Sequence, residues 1–475
     1  METKREGFGS NFGFIMAAVG SAVGLGNIWG FPYKMGRNGG FSFLLIYLVL
    51  ALFVGLAVMV GELAIGRKTG KSPIAAYRAM SKKFTWMGYI AVAVPFLVLC
   101  FYFVLGGMVM RYAIGYLLAM MGVNAWLGVA DVADFFGTFL CTGWMMVLWT
   151  AIFIALNAFI VSKGVGGGIE KFCNIGMPCL FVILIVCIIY VACQPGSGAG
   201  YAFMFGWNIE PLKTDFLGVL KTAAGQMFFS LSLGMGAMIT YGSYLAKGEK
   251  LQKNAVIIVI MDTLVAIMAG CIVLPACAAF GVDYGSGPGL LFKSMQIVFS
   301  RMGGIGNLMG FLFYFLVFIA AISSSMSLLE AITAARVDAN VEKGKAPKRG
   351  KTAIIFALII FVFCLPTALD ALGTGTANGA PIAYPAELLG IDAKGWSDCW
   401  LDFYDCLSEG ILMPLGALVM AFAIGWLWKI DTVIEEAEQC GNKFWGKGFF
   451  NICYKFITPI GMLFVLYGQI TGFFG

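Results

Sequence analysis

Apolar residues run nearly unbroken for stretches of about 20 or more, the length a helix needs to cross the hydrocarbon core of a bilayer. Short polar or glycine-rich segments separate these stretches. Eleven runs can be read, at roughly 11–36, 41–66, 88–120, 143–162, 169–193, 216–245, 254–280, 306–337, 352–369, 399–428 and 450–473. They predict an all-α polytopic membrane protein. Its simplest division is five spans (1–215), five more (216–430) and one peripheral span (431–475). Short basic loops fix the expected orientation. Arg67, Lys68, Lys71, Arg78, Lys82 and Lys83 lie between spans 2 and 3, and Lys343, Lys345, Lys348, Arg349 and Lys351 between spans 8 and 9. The loop between spans 3 and 4 carries Asp131 and Asp134 and no base. By the positive-inside rule the N-terminus is cytoplasmic, and the odd span count then sends the C-terminus outward.

Two of the apolar runs contain residues that a helix tolerates poorly. In AAVGSAVGLGNIWGFPY, residues 17–33, Gly24 and Gly26 sit at mid-span with Asn27 beyond; in TAAGQMFFSLSLGMGAMITYGSY, residues 222–244, Gly234 and Gly236 repeat the pattern. A glycine costs roughly 1 kcal/mol relative to alanine in a helix interior. A freed backbone group in hydrocarbon costs several kcal/mol more unless something binds it. Both segments are therefore expected to be broken and to hold a ligand, and interrupted spans in matching positions of two halves point to the binding site of a secondary transporter.

Composition narrows the chemistry. The 475 residues are 60% hydrophobic and 12% charged, with mean hydropathy +0.89, so a bilayer is the chain's solvent. The net charge of +6 reflects the basic loops and does not call for a nucleic acid. Histidine is absent, which excludes histidine triads, histidine metal sites and histidine proton relays. No nucleophile or metal constellation suggests an enzyme, and no charged ring or repeated filter suggests a channel. The 13 cysteines form no CxxC pair and read as reduced core residues, with an external Cys399–Cys406 pair as the alternative. The start METKREGFGSNFG has no signal-peptide cleavage pattern, so span 1 is expected to persist. Residues 281–305 read as an outer lid, with a short helix after Pro288, or as a plain loop; residues 370–398 read as a long outer loop.

Ionisable groups at membrane depth call for partners. Glu62, in GELAIGR, reads either as an interfacial partner of Arg67 or as an acceptor for amides freed in the broken spans. Asp262, in IVIMDTLVAIMAG, has its nearest base, Lys253, nine residues away, which favours a bound cation over a structural carboxyl. Ser323, Ser324 and Ser325 of span 8 can back-bond to their own helix or, beside unwound carbonyls, supply oxygen to a hard cation.

GSAVGLGNIWGFPY followed by NGG, the span-2 GELAIGR, the span-3 FYF, the span-6 GQMFFSLSLGMGAMITYGSY and the span-8 serine run together resemble the neurotransmitter:sodium symporter family, of the bacterial LeuT-type amino-acid transporters. The resemblance implies two inverted five-helix repeats with spans 1 and 6 broken, and sodium-coupled amino-acid import across a bacterial inner membrane by alternating access. The alternative is a receptor of the same build that binds without transport. It implies one sodium site from Ala22, Asn27, Ser230 and Asp262, completed by the substrate carboxylate. A second site comes from Gly20, Val23, Ala320, Ser323 and Ser324. The substrate carboxylate would meet the amides of Leu25 and Gly26 and the hydroxyl of Tyr102, and the amino group carbonyls near Ala22 and the span-6 break. The side chain would fill a pocket of Val98, Ser232, Met235, Ser325 and Leu328 closed by Phe229, which leans toward large hydrophobic or aromatic amino acids.

Further implications concern gates and anions. Arg5 and Asp338, with Tyr244 nearby, would close the cytoplasmic side, and Phe8 replaces the family's usual tryptophan. Tyr102 and Phe229 would close the outer side. There the family's arginine is replaced by Gly30, which leaves Asp405 without its expected partner. Chloride-dependent members carry a serine where this chain has Ala266. Asp262, near Tyr47, Gln226 and Ser230, supplies a fixed negative charge instead, so no chloride requirement is expected. The resemblance names no oligomeric state.

Overall fold

A computed structural model describes residues 7–123, 125–126, 134–283, 287 and 289–474, and all the regular elements among them are helical. The spans are Asn11–Ala22 with Gly26–Arg37 (1), Phe41–Thr69 (2), Lys82–Met120 (3), Gly143–Ser162 (4) and Val165–Ala192 (5). Span 6 is Phe216–Ser230 with Ala237–Gly242. Then come Leu251–Phe280 (7), Gly303–Glu342 (8), Arg349–Gly373 (9), Trp400–Leu427 (10) and Lys447–Phe474 (11). All eleven expected runs are thus helical. Nine pass as single helices and span 1 as a pair bent by 50°; the second half of span 6 is too short to count by length.

Burial sorts the spans. The most apolar windows of spans 3 and 8 are 72% and 61% buried, whereas those of spans 5, 9 and 11 are 33%, 39% and 33% buried. The last three therefore turn most of their surface to lipid, and spans 3 and 8 form part of the inner scaffold. At the end of that scaffold expected to lie outside, Tyr112, Tyr116 and Tyr314 pack ring on ring at centroid distances of 5.1–5.6 Å, and Tyr314 donates to the Leu291 carbonyl at 2.6 Å. Leu291 belongs to a helical stretch, Leu290–Arg301, inside the segment between spans 7 and 8. The expected short helix is present there, while Pro288 lies outside the described residues. The 370–398 segment holds three short helical turns. All 13 cysteines are free, and the Cys399 thiol donates to Asp402 at 3.1 Å, so the alternative Cys399–Cys406 pairing does not occur.

The two breaks arise differently. In span 6, Ser232, Gly234 and Gly236 take φ of 53°, 75° and 69°, left-handed values that glycine adopts freely and side chains resist. A Cβ on Gly234 would stand 2.6 Å from the Met413 carbonyl oxygen, so span 10 also crowds the position. In span 1 the helix ends at Val23, whose ψ of 112° is extended, and no residue of the break needs positive φ. Here the glycines serve close approach: a Cβ on Gly24 would lie 2.4 Å from the Tyr102 hydroxyl. Gly234→Ala should cost about 1–3 kcal/mol in backbone strain. Its melting temperature in detergent is expected below wild type. Gly461→Ala, in span 11 with open space around it, should match or exceed wild type; equal melting of Gly234→Ala and wild type would refute the assignment.

Candidate functional site

The broken ends are satisfied by side chains, most of them from other spans. The Leu25 amide donates to the Tyr102 hydroxyl at 2.9 Å, and the Gly24 amide to Asn27 Oδ1 at 2.9 Å. From span 6, Gln226 Nε2 donates to the Gly26 carbonyl at 2.7 Å and Ser232 Oγ to the Ser21 carbonyl at 2.8 Å. In return Glu62 of span 2 accepts from the Gly234 amide at 2.7 Å. The geometry selects the second of the two readings of Glu62. Arg67, its alternative partner, pairs instead with Glu436 at 2.8 Å.

Beside the breaks lies a fully buried polar cluster. Asp262 accepts from Ser230 Oγ at 2.8 Å, from Asn27 Nδ2 at 2.7 Å and from the Tyr47 hydroxyl at 3.4 Å. Asn27 Nδ2 also donates to Ser230 Oγ at 2.8 Å. The hydrogen-bond partners of this carboxylate are neutral, so a buried negative charge stands without a base, next to the last turn of the first half-helix, whose carbonyls lack intrahelical partners. Carboxylate, hydroxyl and carbonyl oxygens around one net negative charge suit a hard monovalent cation. Asn27 turns its amino group, not its oxygen, toward Asp262. Rotation of the amide by half a turn, nearly neutral in shape, would present oxygen there. Gln226, expected near Asp262, is committed to Gly26.

Span 8 meets span 1 at the other expected ion position. A Cβ on Gly20 would be 3.2 Å from Ser323 Cβ, and one on Gly24 would be 3.1 Å from Ser324 Oγ. Ser323 Oγ donates to the Ala320 carbonyl at 3.1 Å. Gly20, Val23, Ala320, Ser323 and Ser324 therefore lie on facing turns of the two spans. Ser325 does not belong to the pocket. Its hydroxyl turns toward span 4, donating to Asn157 Oδ1 at 2.8 Å, because one residue along a helix rotates a side chain by about 100°.

Ser324 takes its place on the wall of a narrow, nearly closed slot between the breaks. The wall includes Ala22 and Gly26 at the unwound backbone, Val98 and Tyr102 of span 3, and Leu328 of span 8. Phe229, Ser232 and Met235 of span 6 complete it, with the Phe229 and Tyr102 rings 6.3 Å apart at one end. Leu25 and Ser230 stand behind the wall: the Leu25 amide binds Tyr102, and Ser230 binds Asp262.

At the basic-loop end, Arg5 lies outside the described residues; Asp338 accepts from the Ser72 amide at 2.7 Å. Tyr244 donates to Glu330 at 2.6 Å, and Arg349 pairs with the same carboxylate at 2.5 Å. Sequence reasoning passed over Glu330 and Arg349, although a carboxylate inside span 8 was a visible signal. The Phe8 ring packs edge-on against Tyr241 and Tyr244.

The opposite end corrects one expectation. Gly30 leaves room for Gln226, whose Oε1 would be 2.9 Å from a Cβ there. The base sits one turn on: Lys34 Nζ meets Glu409 at 2.6 Å, and both line a crevice with Asp405. The base facing these two acids, a turn apart on span 10, thus comes from one turn beyond Gly30 on span 1.

Comparison with known proteins adds independent findings. The model of the Sodium:neurotransmitter symporter family matches residues 5–130 and 128–378. Sodium-dependent transporter YhdH of Bacillus subtilis is 32% identical, covering 99% of this chain and 98% of its own. A sodium-dependent transporter of Haemophilus influenzae is 29% identical, covering 98% of each. Among solved structures, MhsT in complex with L-phenylalanine superposes with a TM-score of 0.85 at 34% identity, covering 98% of this chain and all of that one.

Asp262→Ala removes the only charge of the cluster and one charge-assisted contact of about 1.5–3 kcal/mol. Thermal stabilisation by sodium should weaken on the order of 10- to 100-fold in concentration dependence. Unchanged sodium affinity would remove this carboxylate from the ion site.

Proposed function

Because the chain belongs to the sodium:neurotransmitter symporter family, and is thus a multi-pass, sodium-dependent membrane transporter and not an enzyme, we propose that it imports an amino acid with a large hydrophobic or aromatic side chain together with two sodium ions. The observation that carries this reading is the Asp262 carboxylate, buried without a base among its partners beside two facing helix breaks. In the proposed complex the first sodium takes Ala22, Asn27, Ser230 and Asp262, and the second takes Gly20, Val23, Ala320, Ser323 and Ser324. The substrate carboxylate enters between the Leu25 and Gly26 amides and the Tyr102 hydroxyl, parting the direct bond from the Leu25 amide to that hydroxyl, and touches the first ion. Shared ligation of that kind makes substrate and ion each favour the same occluded state, which is what coupling requires.

Chemistry of the wall supports the substrate class. Val98, Met235, Leu328 and Phe229 are apolar, and Met235 adapts its shape to a ring. MhsT, the structural neighbour, was solved with L-phenylalanine. The two ends of the path supply closures: Tyr244, Glu330, Arg349 and Asp338 with Arg5 at the basic face, and Lys34 with Glu409 and Asp405 at the other. Positive loops support a cytoplasmic basic face, with the segment before span 1 inside and the end of span 11 outside. Residues 1–215 and 216–430 form the two inverted repeats, and 431–475 the peripheral part.

Asp262 next to Tyr47, with Ala266 a turn away, supplies in the protein the negative charge that a chloride would bring. Uptake of phenylalanine, leucine and tryptophan into proteoliposomes should require an inward sodium gradient and proceed equally in chloride and gluconate. A several-fold loss in gluconate would reject chloride independence, and sodium-dependent binding without accumulation would identify a receptor.

A further inference from the structure

Several charged residues on the basic face are paired. Arg67 and Lys247 share Glu436 at 2.8 and 2.9 Å, Lys71 and Arg78 share Glu342, and Lys447 meets Glu438 at 3.0 Å. Several other lysines of this face have no such pair among the described residues, and three of those share one site. Lys250, Lys253 and Lys443 have no carboxylate partner among the described residues, and they converge on one crevice of ≈ 900 Å³, its open mouth included. No carboxylate lines it.

The crevice is built, not incidental. One wall is the start of span 7 and the other is the linker between spans 10 and 11. The two are joined by a reciprocal pair in which Gln252 Nε2 donates to the Trp445 carbonyl at 2.9 Å and the Trp445 amide donates to Gln252 Oε1 at 3.0 Å. Asn442 adds a bond to the Gly248 carbonyl at 3.3 Å. The apolar helices of spans 7 and 11 begin at Leu251 and Lys447, so a bilayer that covers them sets the crevice near its headgroups. Trp445 is 55% exposed on its rim, a residue type that settles at the membrane interface. Beyond it, Ile260 of span 7 and Ile452 and Phe456 of span 11 are exposed and face acyl chains.

We propose that the crevice formed by Lys250, Lys253, Lys443 and Trp445 binds the phosphate headgroup of an anionic glycerophospholipid from the adjoining leaflet. Three ammonium groups without internal counter-charge attract one or two phosphates, and their position beside lipid-facing helices favours a phosphate that carries acyl chains over one from solution. A bound headgroup bridges span 7 to the linker, the same linker that Glu436 ties to Arg67 at the end of span 2. The proposal does not depend on which solute is transported.

Native mass spectrometry of the full chain in mixed micelles tests it, with phosphatidylglycerol and phosphatidylcholine as probes and inorganic phosphate as competitor. Wild type should retain phosphatidylglycerol preferentially. The combined variant K250Q/K253Q/K443Q should lose that preference by about 100-fold, from a factor of about five per lysine near the surface. K343Q/K345Q, also on the basic face but in another loop, should keep it. If the combined variant does not fold, Lys443→Glu alone, in an exposed linker position, should reduce retention. Sodium-induced thermal stabilisation, read on the same samples, reports the central site separately. Equal retention by wild type and the crevice variants would overturn the proposal, as would equal loss in K343Q/K345Q. Displacement of the lipid by inorganic phosphate at matched concentration would overturn the lipid assignment in favour of a free-phosphate site.

Discussion

A peptide group without a hydrogen-bond partner is not tolerated in hydrocarbon, and the architecture follows from how this chain meets that condition at two places where its helices come apart. Each break is stitched by side chains from elsewhere: Tyr102 and Gln226 on the span-1 side, Glu62 on the span-6 side, and Ser232 reaching back to the Ser21 carbonyl. At several kcal/mol for each group left bare, the breaks exist only while these partners stay in register. Moving span 1 relative to span 6 therefore exchanges a defined set of bonds, which makes the pair a discrete switch instead of a soft hinge.

Electrostatics adds a second condition. Asp262 is held by three neutral groups, so its charge is delocalised over hydrogen bonds but not cancelled. A cation cancels it, and in the proposed cycle the substrate carboxylate then finds an ion already in place. The two ends hold ion pairs as well, Lys34 with Glu409 at one and Arg349 with Glu330 at the other, the closures of the proposed cycle. Unlike the central site, each supplies both signs from the protein, so each can open and close without importing charge.

Much of this could be read from residue order. Glycine pairs in two apolar runs announce the breaks because glycine permits positive φ in span 6 and close approach of neighbouring side chains in span 1, and Asp262 announces itself because the nearest base on its span, Lys253, is nine residues away. What escaped was determined by rotation and by partners distant in sequence. The choice between Ser324 and Ser325 is one step around a helix, and only the position of Asn157 on span 4 decides it. Lys34 and Glu409 escaped because the departure at Gly30 drew attention to position 30 itself, whereas the base that faces Asp405 and Glu409 stands one turn further along span 1. Glu330 was legible as an intramembrane acid, but its partner Arg349 sits at the head of span 9, where it read as an ordinary loop charge. The seat of Glu62 was undecided until Arg67 was found on Glu436, 369 residues away.

The most direct test of the central claim is hydrogen–deuterium exchange at the amides of residues 23–27 and 231–236, compared in potassium, in sodium, and in sodium with phenylalanine. If these unwound segments are completed by ions and an amino acid, exchange should slow stepwise at both segments together across the three conditions. Identical exchange in all three, in a preparation that still transports, would contradict the account.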